Sequence, residues 1–248
     1  MWSYPKIVAH RGGGSLAPEN TLAAMQCGLD YGFHAVEFDV MLSKDGVPVL
    51  MHDHEFGRTV RGEGEVAATL AEDLLKMDAG SWFDSRFEQA LVPSYEEVFK
   101  FCQRHQIWMN VEIKPAPGHE EQTGTVVAAV TQALLRQLGA EAVPPLFSSF
   151  SFAALHCAKQ QAPEIARGYL VDNYEANWES SLNALDAIAL HTNHKNLTPE
   201  WAAQVKKAGF GLFCYTVNSP ERAREIFGWG VDGFCTDRID LISADFGQ

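Results

Sequence analysis

No run in this sequence reaches the roughly 18 consecutive apolar residues that a membrane-spanning helix needs. The opening MWSYPKIVAHRG also lacks the apolar stretch of a secretory signal. Basic residues are scarce: 19 Lys and Arg stand against 32 Asp and Glu, for a formal net charge of −13. Nucleic acids are gripped through cationic contacts to phosphate, so this imbalance argues against a nucleic-acid partner. A small phosphate ester stays open, because a bound cation can reverse the sign locally. Cysteine is sparse as well. Cys27, Cys102, Cys157, Cys214 and Cys235 form no C-x-x-C pair. They fall mostly in apolar periodic segments, which suits buried, reduced thiols. The expectation is a cytoplasmic protein with no membrane or nucleic-acid partner; a homodimer is left open.

What the chain does have is alternation. Short runs rich in Val, Ile and Phe recur at 6–10, 35–42, 48–53, 107–114, 144–150, 165–171, 187–191, 211–218 and 232–236. Helical patterns lie between them. Leu22, Met25 and Leu29 share one face, with Asn20 as the expected N-cap and Gly32 just past the end. Similar patterns occupy 96–105, 124–138, 152–161, 197–209 and 219–230. Strand–helix alternation over the whole chain implies a parallel sheet with helices outside it. About eight such units in a chain of this length favour a closed (β/α)8 TIM barrel, one domain spanning 1–248. One stretch, about 53–93, breaks the rhythm after the second barrel strand. Loops this long are usually functional or partly structured, and this one reads as a small inserted subdomain over the catalytic face.

Charged residues sit where strands end. In AVEFDV, Val36, Phe38 and Val40 point one way and Glu37 and Asp39 the other. If the apolar side meets the helices, both carboxylates point into the barrel. NVEIKP repeats the pattern with Glu112 and Lys114 inward. His10 and Arg11 follow one strand, and His52 ends another. Like charges inside a barrel are costly without compensation. Three carboxylates with no Cys or His cluster suit one hard divalent cation, Mg2+ or Ca2+, better than zinc. With that cation, Arg11 and Lys114, the set carries one net positive charge, matching a phosphodiester anion. A rival pattern exists: GGGSLA fits the dinucleotide fingerprint. Pro18 delays the next helix too far for it to cap a pyrophosphate, and that reading leaves His52 and EIK unexplained.

Assembled in this order, AHRGG…APENT, VEFDV…SKDGVPVLMHD, DAGSWF, VEIKP and GVDGFCTDR resemble the glycerophosphodiester phosphodiesterase family over nearly the whole chain. The closest likeness is to its short cytoplasmic bacterial type. The resemblance implies a TIM barrel with a small insertion and a glycerophosphodiester substrate. It implies Glu37, Asp39 and Glu112 as metal ligands, His10 and His52 as the acid–base pair, and Arg11 and Lys114 as phosphate-binding cations. Two departures stand out: YTVN (215–218) where the family commonly has WTVN, and Ile239 where it often has proline. The first puts Tyr215 in the expected substrate pocket. Trp82 and Phe83, on the insertion, are candidates for an apolar contact to substrate, with packing inside the insertion as the alternative. That contact leaves open a barrel phosphodiesterase of lysophospholipase D or cyclising phospholipase type. A non-catalytic phosphodiester-binding barrel is the remaining alternative.

Overall fold

The computed structural model describes residues 2–247. Among them lie nine strands: β1 (Ile7–Ala9), β2 (Ala35–Leu42), β3 (Pro48–Leu50), β4 (Trp108–Ile113), β5 (Leu146–Ser149), β6 (Ala166–Val171), β7 (Ala189–Asn193), β8 (Gly211–Tyr215) and β9 (Gly233–Thr236). The helices are α1 (Leu22–Asp30), α2 (Ala71–Leu74), α3 (Tyr95–Arg104), α4 (Glu120–Leu138), α5 (Phe152–Gln161), α6 (Trp178–Leu185), α7 (Pro199–Lys207) and α8 (Pro220–Gly228).

Eight strands run parallel and close on themselves, because β1 pairs with β9 on one side and with β2 on the other. This is the (β/α)8 barrel that the alternation predicts. The strand β3 is not a stave of it. It runs antiparallel to β2, pairing Val40 with Leu50 and Leu42 with Pro48. The run at 48–53, which the sequence presents as one more strand in the series, is therefore the return arm of a hairpin. Gly46, at φ 78°, and a bond from the Ser43 amide to the Val47 carbonyl shape its turn. The return carries the Met51 amide back to the Asp39 carbonyl at 3.3 Å, so His52 emerges beside the barrel mouth.

Side-chain alternation decides what lies on each side of the wall. Val36, Phe38 and Val40 join the main core between strands and helices, with Tyr95, Val98 and Phe99 of α3. Inside the barrel, Val8, Ala35, Trp108, Leu146, Phe213 and Cys235 pack together, with Trp2 and Tyr4 against them. The Trp2 ring stacks on Phe213 at 5.4 Å, and Tyr4 lies 5.0 Å from Trp108. An aromatic plug thus fills one end of the barrel.

The excursion after β3 has its own small core: Met41, Val49, Met51, Val60, Val66, Leu74, Ala79 and Val92. Trp82 and Phe83 belong to its packing. Their rings meet edge-on at 5.7 Å, Phe83 meets Phe87 at 5.6 Å, and Trp82 Nε1 donates to the Ala79 carbonyl at 2.9 Å. The helix α6 has no counterpart in the expected pattern. It is short, its leading Asn177 makes no side-chain cap, and only Trp178, Ser181, Leu182 and Leu185 mark its buried face.

The loop before α1 carries His10 and Arg11. Thr21, not Asn20, caps the helix: its hydroxyl accepts from the Ala24 amide at 3.1 Å and donates to the Pro18 carbonyl at 2.7 Å. Asn20 stands at φ 58°, and its side chain is turned to β2 instead. Two glycines let this loop close. A Cβ on Gly14 would strike the Asp237 backbone, and one on Gly28 of α1 would strike the Gly12 carbonyl oxygen. Neither obstacle is a flexible side chain, so the backbone itself would have to shift. Gly28→Ala should lower the urea unfolding midpoint by an amount equivalent to about 1–3 kcal/mol, the usual cost of overpacking. It should also reduce turnover, because the displaced loop carries His10.

Candidate active site

The register between β2 and β4 sets Asp39 opposite Glu112 and Glu37 opposite Asn110. Since alternate residues of each strand face inward, three carboxylates converge. One oxygen from each of Glu37, Asp39 and Glu112 lies within 4.8 Å of the others. Two cations attend them. Lys114 Nζ lies 3.1 Å from Asp39 Oδ1 and 3.7 Å from Glu112 Oε1. Arg11 places Nε 3.5 Å from Asp39 Oδ2, and its backbone amide donates to Glu37 Oε2 at 3.1 Å. The Asn20 amide donates to Asp39 Oδ2 at 2.8 Å while its Oδ1 accepts from the Asp39 amide at 3.1 Å.

This crowding is uneven in charge. Burial and the Asp39 charge push Glu37 up to about 7 and Glu112 up to about 8, against an ordinary 4.5. Burial pushes Asp39 upward too, but Lys114, Arg11 and the Asn20 hydrogen bond outweigh it and hold its carboxyl well below the usual range.

The two histidines are mounted alike. His10 Nδ1 meets Asp237 Oδ1 at 2.6 Å, and His52 Nδ1 meets Asp53 Oδ1 at 2.6 Å. Asp237 is itself held by Asn218, which donates from Nδ2 at 2.8 Å and accepts the Asp237 amide at 2.8 Å. Asp53 accepts from Arg58 Nε at 2.6 Å. Arg58 reaches on to both oxygens of Glu19, at 2.7 and 2.8 Å, and Glu19 accepts from Arg11 Nη1 at 2.8 Å. A continuous chain of ion pairs therefore runs from the His10–Arg11 loop through the insertion to His52. Burial lowers the His10 pKa, but the Asp237 bond and the Glu37 charge reverse the shift and raise it. For His52 burial prevails, and its pKa is lowered.

These groups share one cavity of about 200 Å³, lined by His10, Arg11, Glu37, His52, Glu112, Lys114, Phe150 and Tyr215, with Asn110, Ser148 and His191 further in. Arg11 Nε, buried and without a hydrogen-bond partner, lies among them. Tyr215 lines this cavity, its hydroxyl donating to the Val171 carbonyl at 3.0 Å and its ring 5.7 Å from Phe150. Trp82 and Phe83 do not line the cavity. They pack against each other and Phe87 within the insertion, with Trp82 still partly exposed at 37%. The sequence reading also passed over Asp53, Arg58 and Asp237 as partners of the imidazoles. The rule that finds His10 would have found Asp237, which directly follows the last residue of β9.

Residues 10–241 match the profile of the Glycerophosphoryl diester phosphodiesterase family. The chain belongs to that family. Among its relatives in this family, a glycerophosphodiester phosphodiesterase of Caldanaerobacter subterraneus subsp. tengcongensis is 34% identical over 236 residues, 93% of each chain. A solved phosphodiesterase of Oleispira antarctica, in complex with the product sn-glycerol-3-phosphate, is 35% identical with a TM-score of 0.90. The likeness covers 97% of this chain and 96% of that one. The glycerophosphodiester phosphodiesterase of Agrobacterium tumefaciens superimposes with a TM-score of 0.77 at 30% identity, over 96% and 98% of the two chains. Among the described residues, no helix is long and apolar enough to cross a membrane.

The raised carboxylates make stability pH-dependent. Glu37, Glu112 and His10 bind protons more tightly folded than unfolded, so their contribution is lost as pH rises through the folded values. His52 and His191 act oppositely, but only below the ordinary 6.5 of histidine. In chelator, the melting temperature should therefore fall between pH 6.5 and 8.

Proposed function

We propose that this phosphodiesterase hydrolyses glycerophosphodiesters to sn-glycerol 3-phosphate and a free alcohol, with one divalent cation, Mg2+ or Ca2+, held by Glu37, Asp39 and Glu112. The observation that carries the reading is convergence: three acids meet within 4.8 Å, and two of them, Glu37 and Glu112, border one cavity with two cations and two aspartate-backed imidazoles. The donor set fits such a cation. Its oxygens are hard, and their separation of at most 4.8 Å is about twice a calcium–oxygen bond of roughly 2.4 Å. Glu37 and Glu112 are raised, so the cluster as the protein makes it is short of positive charge. A cation bound there would polarise phosphate oxygens and offset their charge.

The chain's own residues do the remaining work. Arg11, through its guanidinium, and Lys114 bind non-bridging phosphate oxygens, each unit charge worth about 4 kcal/mol at about 4 Å and an effective dielectric near 20. Glu19 and Asp39 hold Arg11 in place. Because both imidazoles engage an aspartate through Nδ1, Nε2 is the nitrogen left to move a proton. One Nε2 takes the proton of the nucleophile; the other protonates the departing alkoxide. Asp237 and Asp53 fix the ring tautomers and settle the positive charge when it forms. Residues 53–93 serve this reading as an insertion into a single catalytic domain, placing Arg58 against Asp53 and Glu19.

The product complex of the Oleispira antarctica relative agrees with this substrate class. A coupled assay for glycerol 3-phosphate tests it. His10→Ala and His52→Ala should each lower kcat by about 10²–10⁴-fold with folding retained. Turnover at the wild-type rate by either variant would remove that residue from the mechanism. Exhaustive chelation should abolish activity, and Mg2+ or Ca2+ should restore it. Full activity in the stripped protein would refute the carboxylate site.

A further inference from the structure

The barrel mouth has two unlike halves. His10, Arg11, Glu37, Glu112 and Lys114 stand on or just after β1, β2 and β4, and they carry the charge described above. Across from them, β5 to β8 end in a different set. Ser148, Leu170 and Phe213 line the cavity, so Phe150, Asp172 and Tyr215, two positions further on, fall on the same inner side at the rim. Contacts join the three. The Phe150 ring meets the Tyr215 ring edge-on at 5.7 Å. The Tyr215 hydroxyl donates to the Val171 carbonyl at 3.0 Å, which sets it beside Asp172. Asn193 Nδ2 donates to Asp172 Oδ1 at 3.0 Å, and Asn196 Nδ2 donates to the Asp172 carbonyl at 2.7 Å.

Asp172 is the member that nothing so far accounts for. It is exposed, steered by neighbouring amides, and among the described residues no basic side chain lies within 4.0 Å of its carboxylate. Arg222, on α8, is engaged with Glu225 and the His194 carbonyl instead. Burial raises the Tyr215 phenol, and the Asp172 charge raises it further, so that charge reaches the ring. Phe150 is 47% exposed. An uncompensated carboxylate beside two aromatic rings suits an organic cation, which the rings attract through their quadrupoles and the acid through its charge. An anionic group would be repelled by Asp172. A neutral polyol would gain little from the rings, and an acyl chain would strand the carboxylate.

We propose that Phe150, Tyr215 and Asp172 form a rim subsite for the departing alcohol, selecting esters whose alcohol carries an ammonium group, as choline does. This rests on the phosphodiester reading above and deepens it. The phosphate is held on the β1–β4 half of the mouth, and the alcohol extends across to the β5–β8 half. The three residues meet the far end of the alcohol, so they set which ester binds rather than how the bond breaks.

Calorimetry at saturating divalent cation, on His52→Ala so that the ester persists, tests the subsite. The probes are glycerophosphocholine and its neohexyl isostere, in which carbon replaces the ammonium nitrogen. The two share a shape and differ in charge. The choline ester should bind about fivefold or more tightly. Asp172→Asn, which removes the charge and keeps an acceptor for Asn193, should cut that preference by about threefold or more. Phe150→Leu, which keeps apolar bulk and removes the ring, should cut it by about twofold or more. A preference near one in the parent, or binding of neither ester, would overturn the proposal. So would variants that keep the preference, or that weaken both esters in parallel, which is the mark of a merely structural role. Should Phe150→Leu fail to fold, Asp172→Asn, an exposed change, decides. Failure of wild type to release glycerol 3-phosphate from glycerophosphocholine would sink the phosphodiester reading instead, and the affinity ratio would still report on the rim.

Discussion

Repulsion among three buried acids is the constraint around which this protein is arranged. The pairing of β2 with β4 forces Asp39 against Glu112, with Glu37 one step away. Backbone hydrogen bonds hold that register, so the carboxylates cannot drift apart to relieve the strain. Everything basic or donating in the neighbourhood is turned toward them. Lys114 follows β4, while Arg11 and Asn20 come from the loop before α1, yet all three touch Asp39. The outcome is asymmetric: one acid is fully satisfied, and two retain protons near neutrality.

The imidazoles show a different solution to positioning. His10 hangs from the end of a barrel strand, and its aspartate comes from the end of the adjacent strand, β9. The barrel alone sets that pair. His52 lies on no barrel strand. Its place depends on a hairpin that doubles back and on Arg58, which ties Asp53 to Glu19 across the insertion. Residues 53–93 are therefore better described as a brace for one imidazole than as a cover that supplies aromatic contacts.

Much of this was legible in the amino-acid pattern, and the failures have physical causes. Period-two alternation placed Glu37, Asp39, Glu112 and Lys114 on the inner face, because a strand buried on both sides has no reason for charge there unless the charge converges. Alternation is silent about strand direction, so β3 read as another parallel strand. Asn20 looked like a helix cap because asparagine commonly is one; a buried carboxylate two elements away outcompeted the helix for its amide. Trp82 and Phe83 could not be sorted by composition, since an aromatic side chain fills a small core as readily as it meets a ligand. The pairing of Arg58 with Glu19 and of Asp237 with His10 is tertiary, and no local spacing announces it.

The aromatic plug has a kinetic consequence. With Trp2 and Tyr4 stoppering one end, the barrel is a blind well, and whatever goes in must come out the same way. Products must leave through the mouth that admits substrate, so a product still seated in the well bars the next substrate molecule, and turnover slows as product accumulates.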